Sequence, residues 1–238
     1  MKKGFTLIEL AIVLVIISIV IGAIIGSRDL IESAKLNGII SDFKKYESAF
    51  NAFKEKYGAI PGDMPDAESV FTVPDTGCPG YYNGNGDNAI NSFSSNYEQA
   101  FVFDMLSKAG LVDFKPNQQS INCTSISASS YTPGYVFPES TVKNSGFFLY
   151  MDTSSPEGIL ELATYAEESR APYGGLVKPS EALSIDKKID DGIAESGKFY
   201  GRSAEDVGLT CISGGLYVSD SEASGAKSCI LRYIVDNY

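Results

Sequence analysis

The sequence predicts an α+β fold: one long N-terminal helix, apolar in its first half, leading into a globular domain of shorter helices and strands. Three observations predict it. Residues 10 to 27 carry no charge, and a run of that length reaches the roughly 17–18 residues a membrane-spanning helix needs. Ile39, Phe43, Tyr46, Phe50, Phe53 and Tyr57 then recur at spacings of 4, 3, 4, 3 and 4, one apolar stripe at helical period. Beyond Gly58, β-branched and aromatic segments alternate with Gly-, Ser- and Asp-rich breaks, as short strands do.

The apolar run comes first. Lys2 and Lys3 precede it and the remainder is acidic, with a net charge of −11, or −13 without those two lysines. The positive-inside rule keeps the short N-terminus in the cytoplasm and sends the rest outward. One run predicts one crossing, over residues 5–27. A secretory signal has an apolar stretch of only ~7–15 residues and a small-residue cleavage site. Here the run is longer, and Glu9 interrupts its beginning. A charge deep in lipid costs ~2.5–3.5 kcal/mol, so neither a plain signal nor a plain anchor accounts for Glu9. Gly22 and Gly26 form a small-xxx-small spacing that lets helices approach closely.

The helix continues over residues 28–57. Lys44, Lys45, Glu47, Lys54 and Glu55 take the faces away from the stripe, Gly58 suits a C-cap and Pro61 a stop. "SNYEQAFVFDMLSKAG" opens with Ser95 and Glu98 at capping-box spacing, carries Phe101, Met105 and Ala109 on one face, and ends at Gly110. "SGFFLYM", "GILELAT", "GKFYGR" and "CILRYIV" read as strands. "PSEALSIDKKIDDG" reads as a further helix, capped by Ser180 or Glu181 and ending before Gly192. Residues 58–238 thus form the globular α+β domain.

Composition narrows the chemistry. An acidic domain with no Lys/Arg cluster repels phosphate backbones, so no nucleic-acid partner is expected. The chain has no histidine, which removes Ser-His-Asp and Cys-His catalysis and weakens any zinc site. Ser107 and Lys108 are adjacent and face apart on a helix, the wrong geometry for a dyad. No enzyme activity is expected. Cys78, Cys123, Cys211 and Cys229 all lie in the exported part, and an even count there suggests two disulfides. Four cysteines allow three connectivities. Cys211 and Cys229 bracket the Gly/Ser-rich "ISGGLYVSDSEASGAKS", a loop whose closure stabilises by ~3 kcal/mol.

Two acidic stretches are candidate cation sites. "NGNGDNAIN" places Asn83, Asn85 and Asp87 at alternating positions, like the first half of an EF-hand calcium loop. Position 6, normally Gly, is Asn88, and position 12, normally a bidentate acid, is Ser94. Asp75 or Glu98 could complete a site in space. The competing reading, a Gly/Asn-rich turn, needs no ion, so the cofactor expectation is none, with calcium as the candidate. In "DKKIDDG", Asp186 and Asp190 share a helix face with Asp191 beside them. They suit a second cation, an inter-subunit salt bridge, or a solvated helix end balanced by lysines.

The opening residues carry a specific combination: Lys2-Lys3-Gly4, then Phe5-Thr6-Leu7-Ile8-Glu9 and the long apolar run. They closely resemble the leader of type IV pilins and the related pseudopilins of type II secretion. "IPGDMPDA", "NGNGD" and "IDKKIDDG" look like those of a subgroup of long pilin-like proteins. The resemblance implies that residues 1–4 are a leader cut after Gly4 by a prepilin peptidase, and that Phe5 becomes N-methylated. It implies that Glu9 neutralises the Phe5 amine of a neighbouring subunit and so sets register during assembly. It implies a helix packed on an antiparallel sheet, other pilin subunits and an inner-membrane assembly platform as partners, and an inner-membrane protein with its globular domain in the periplasm, or at the cell surface in a pilus. Many pilins carry a proline within the apolar helix; here the first proline is Pro61. The family often staples its C-terminal region, which favours Cys211–Cys229 with Cys78–Cys123. The 234 residues left after cleavage favour a minor pilin. A membrane-anchored binding module, an adhesin or secretion-substrate contact, is the alternative.

Overall fold

The computed structural model describes residues 6–73, 82–90, 98–117, 134–152, 155–164, 174–204, 208 and 210–235. Two compact units emerge, Met1–Gly38 and Ile39–Tyr238. Helix α1 (Leu7–Tyr57) contributes to both.

In the first unit the expected apolar half is helical from Leu7 onward. Its described apolar side chains are exposed, from Leu7 at 92% through Ile16 at 55% to Ile21 at 52%. Among the described residues no helix is long and apolar enough to cross a membrane. Within the run, Ser18 donates its hydroxyl to the Leu14 carbonyl at 2.8 Å, so the polar group is satisfied inside the helix itself.

The second unit begins with the aromatic stripe. Ile39, Phe43, Tyr46, Phe50 and Phe53 are buried, as the 3–4 spacing requires. Gly58 ends α1 at φ +65, and its N–H bonds the Lys54 carbonyl at 2.8 Å. This is a left-handed terminus that a side chain would resist. The stripe packs on a four-stranded antiparallel sheet of β1 (Ser145–Asp152), β2 (Ser155–Thr164), β3 (Phe199–Ser203) and β6 (Cys229–Val235). Strand order is β1-β2-β6-β3. Period-2 alternation gives the sheet two faces. Phe147, Leu160, Tyr233 and Phe199 lie on the helix-facing side, where Phe43 meets the rings of Phe147 at 5.3 Å, Tyr233 at 5.7 Å and Phe199 at 5.8 Å. Polar contacts frame this packing. The Tyr233 hydroxyl donates to Glu47 at 3.0 Å, and Lys198 lies 3.6 Å from the same carboxylate. The opposite face carries a row in register: Phe148, Glu161, Arg232 and Tyr200.

Among the described residues three further helices complete the unit: α2 (Ala67–Val70), α3 (Glu98–Lys108) and α4 (Pro179–Ile189). α3 is described from Glu98 onward. Glu98 is buried, and its carboxylate accepts from the Asn85 backbone N–H at 3.3 Å. Ser95 itself lies outside the described residues. α4 is capped at neither Ser180 nor Glu181. Its N-cap is Lys178, with Pro179 in the first turn. Glu181 reaches back to the Lys178 N–H at 2.7 Å, while Ser180 binds elsewhere.

Sequence reading missed a hairpin of β4 (Ile212–Ser213) and β5 (Leu216–Tyr217). Gly214 and Gly215, at φ +58 and +80, make its turn. A two-residue loop with both φ positive is the geometry that matches strand twist, and Gly-Gly meets it without strain.

Candidate functional site

The first candidate site is the head of α1. Gly4 and Phe5, the expected cleavage and methylation positions, lie outside the described residues. Thr6 immediately precedes the helix. The Thr6 backbone N–H donates to Glu9 Oε2 at 2.8 Å, and the Thr6 hydroxyl donates to the same oxygen at 2.7 Å. The Glu9 N–H in turn points at Thr6 Oγ1, at 3.3 Å. This is a reciprocal capping box, which satisfies backbone donors that a helix start otherwise leaves unpaired. Glu9 therefore has a local role within its own helix. The signal was in the sequence: Thr-x-x-Glu ahead of an apolar run is that box. Reading Glu9 only as a charge in lipid hid it.

The second is the acidic loop. Asn83 Oδ1 accepts from the Glu68 N–H at the start of α2, at 2.8 Å. Asn85 Oδ1 accepts from the Asp87 N–H at 2.8 Å, and its amide donates to Asp87 Oδ2 at 2.9 Å. Asp87 Oδ1 accepts from the Ala89 N–H at 2.9 Å. The loop is also gripped from outside. Asp63, 2% exposed, accepts from the Gly86 N–H at 2.6 Å and the Asn88 N–H at 2.8 Å. Burial raises the Asp63 carboxyl to about 6; the two N–H bonds oppose that shift, and the negative charges of Glu98 and Asp87 add to it. Gly84 has no room for a side chain, because a Cβ there would collide with the Asp63 backbone. Asn88 takes the left-handed conformation, φ 62, that the EF-hand pattern reserves for glycine. Asn83 Oδ1, Asn85 Oδ1 and Asp87 Oδ1 thus each accept a backbone N–H, as in a turn held by its own side chains. Among the described residues no group of three or more His, Cys, Asp or Glu side chains could hold a metal ion. Asp75 and Ser94 lie outside the described residues.

At the acidic end of α4 the three aspartates differ in setting, Asp190 being half-buried and Asp191 exposed. Asp186 is fully buried. It accepts from the Gly192 N–H at 2.9 Å and the Tyr217 hydroxyl at 2.8 Å. Burial raises its pKa despite those bonds. Asp190 takes the N–H groups of Lys198 and of Phe199, the latter at 2.8 Å, and so fixes the entry to β3. Asp191 accepts from the Ile193 N–H at 2.7 Å.

Cys211 and Cys229 are disulfide-bonded, with Cα atoms 5.0 Å apart. Cys78 and Cys123 lie outside the described residues. The closed segment is anchored twice to α4. Tyr217 reaches Asp186, and Asp220 accepts from the Ser180 N–H at 3.0 Å and hydroxyl at 2.8 Å.

An apolar helix with exposed side chains, opened by a capping box, thus follows directly on a short basic N-terminus. Residues 1–25 match the family model for the prokaryotic N-terminal methylation motif, the leader of type IV pilin and pseudopilin precursors. No curated protein and no solved structure matches the chain.

Proposed function

We propose that the chain is a pilin-like structural subunit, cut after Gly4 by a prepilin peptidase, methylated on Phe5 and assembled through the first half of α1. The assembly is a type IV pilus or a type II secretion pseudopilus, of which this chain is a minor component. The observation that carries the reading is the continuity of the methylation motif with the exposed apolar surface of Leu7 to Ile21. Apolar surface on that scale requires a cover. Lipid of the inner membrane serves before assembly, and neighbouring subunits serve after it. The globular unit then lies in the periplasm, or on the cell surface within a pilus. An assembly platform in the inner membrane and other pilins are the partners. No catalytic step is assigned.

N-terminal sequencing of the membrane-extracted protein tests the reading. The mature chain is expected to begin at methylated Phe5. A mature end near Ala23 would identify an ordinary signal peptidase product and remove the filament reading.

A further inference from the structure

Two motifs interlock in the globular unit. Asp63 of "IPGDMPDA" is buried, and its carboxylate holds the "NGNGD" loop by the Gly86 and Asn88 N–H groups. Glu98, also buried, accepts from the Asn85 N–H. We infer that Asn85-Gly86 is a deamidation site gated by this clasp: the closed loop withholds the reaction, and an opened loop is altered irreversibly. The inference concerns only the globular unit and stands apart from the filament reading.

The reaction needs only the chain and water. The Gly86 backbone nitrogen attacks the side-chain carbonyl carbon of Asn85. A C–N bond forms between them, the bond to Nδ2 breaks, and the amide proton of Gly86 departs with Nδ2 as ammonia. Water then opens the cyclic imide at one of its two carbonyls, leaving aspartate or isoaspartate. An Asn-Gly pair suits this step because glycine puts no side chain in the way and turns freely into the attacking conformation. The chain has three such pairs: Asn37-Gly38, Asn83-Gly84 and Asn85-Gly86.

At Asn85-Gly86 every reacting group is engaged. The Gly86 N–H is given to Asp63 Oδ1 at 2.6 Å. The Asn85 side chain is tied at both ends to Asp87, its Oδ1 to the backbone N–H at 2.8 Å and its Nδ2 to Oδ2 at 2.9 Å. Attack therefore waits for the loop to leave Asp63, and its rate follows the population of the opened loop. Asn85 and Gly86 are exposed, so water for the second step is at hand. The other two pairs differ. Asn37-Gly38 lies within α1, where the helical ladder fixes the backbone. The Gly84 N–H bonds the Met64 carbonyl at 3.0 Å, and an aspartate at position 83 would still accept the Glu68 N–H as Asn83 does.

The product opposes reclosure. Aspartate at position 85 sets a carboxylate oxygen against Asp87 Oδ2, where an N–H now donates, in a loop that Asp63 and Glu98 already grip with negative charge. Isoaspartate also inserts a carbon into the main chain ahead of Gly86, which moves the Gly86 N–H off Asp63. Gly84 leaves no slack for readjustment, since a Cβ there would already strike the Asp63 backbone. A transient opening thus becomes a lasting change in the loop.

The test is peptide mapping for isoaspartate and aspartate at all three pairs, on full-length protein incubated in detergent at neutral pH with and without urea. Conversion at Asn85 is expected in urea and to be slower by about tenfold or more in the folded protein. Gly84→Ala leaves Asn85, Gly86 and Asp63 in place but pushes the loop off its clamp, and is expected to speed conversion of the folded protein by about fivefold or more. Asn85→Asp carries one product directly, and is expected to speed hydrogen exchange at the Gly86 and Asn88 N–H groups by about fivefold or more. If Gly84→Ala fails to fold, judged by its melting curve, Asn85→Asp decides. Conversion at Asn85 as fast in the folded protein as in urea overturns the inference, as does its absence in urea. So does an unchanged conversion rate in folded Gly84→Ala, or unchanged exchange in Asn85→Asp. None of these results bears on processing at Phe5.

Discussion

Asp63 holds backbone N–H groups from Gly86 and Asn88, 23 and 25 residues further along the chain. Both carboxylate oxygens are engaged, so its side chain acts as a clamp on the loop. Asp63→Asn keeps the shape but replaces one acceptor with an amide that faces a backbone N–H. A buried donor left unpaired costs ~1–3 kcal/mol, and that loss of stability is expected in denaturant unfolding. The pH dependence runs in a definite direction. The folded-state pKa is about 6, above the ordinary value of 3.8. Between those limits the native protein binds more protons than the unfolded chain, so this group's stabilising contribution falls as pH rises through about 6. The gap between wild type and Asp63→Asn should therefore be wider at pH 5 than at pH 7. A constant gap would mean that Asp63 titrates at an ordinary carboxylate pKa. Pro61 was legible as a helix stop, but the clamp beside it was not, because its partners lie more than twenty residues away.

At the scale of elements, the four sheet strands and the three long helices were legible from local pattern. β-branched and aromatic runs bounded by Gly and Asp placed β1, β2, β3 and β6, and the 3–4 aromatic spacing placed the second half of α1. The missed elements had signals of a different kind. The β4–β5 hairpin rests on Gly214-Gly215, which reads as a loop unless tested against turn geometry. The α4 cap was misplaced because Ser180 suits a cap position, yet Asp220 takes both its N–H and its hydroxyl. That competition belongs to tertiary structure. The Cys211–Cys229 bond closes a loop with a sequence separation of 18, worth ~3 kcal/mol by chain entropy. Replacing both cysteines with alanine is expected to lower unfolding free energy by about that amount without changing the fold, since Tyr217 and Asp220 keep the segment docked on α4. Loss of the native circular dichroism spectrum in the double variant would show that the bond is needed to form the fold.

Across the whole molecule, the leader motif was legible, as was the passage from an apolar helix to a globular α+β unit. The row on the outer face of the sheet was not. Tyr200 and Arg232 become neighbours only through the pairing of β3 with β6, and Glu161 only through β2. Assembly supplies the prediction at this scale. Glu9→Gln preserves a capping box, because a glutamine oxygen also accepts the Thr6 N–H, but it removes the counter-charge. Insertion and cleavage after Gly4 are expected to remain intact, while the fraction of mature protein recovered in sheared filaments, or crosslinked to partner subunits, falls sharply. Glu9→Asp should be partly tolerated, since it keeps the charge and shortens the reach. Normal incorporation of the Gln variant would show that Glu9 makes no assembly contact, and the anchored binding module would then account better for the chain.

The Thr6–Glu9 capping box makes joining a filament, under the proposed function, an exchange of partners. A subunit in the membrane already has its carboxylate satisfied, so pairing Glu9 with a neighbour's amine trades one set of bonds for another and adds few. The net drive to polymerise must then come from covering Leu7 to Ile21 by neighbouring helices. A subunit leaving the polymer likewise returns to lipid with its first turn closed rather than with a bare charge. Such a joint favours reversibility: specificity comes from the exchange, and cohesion from the apolar surface around it.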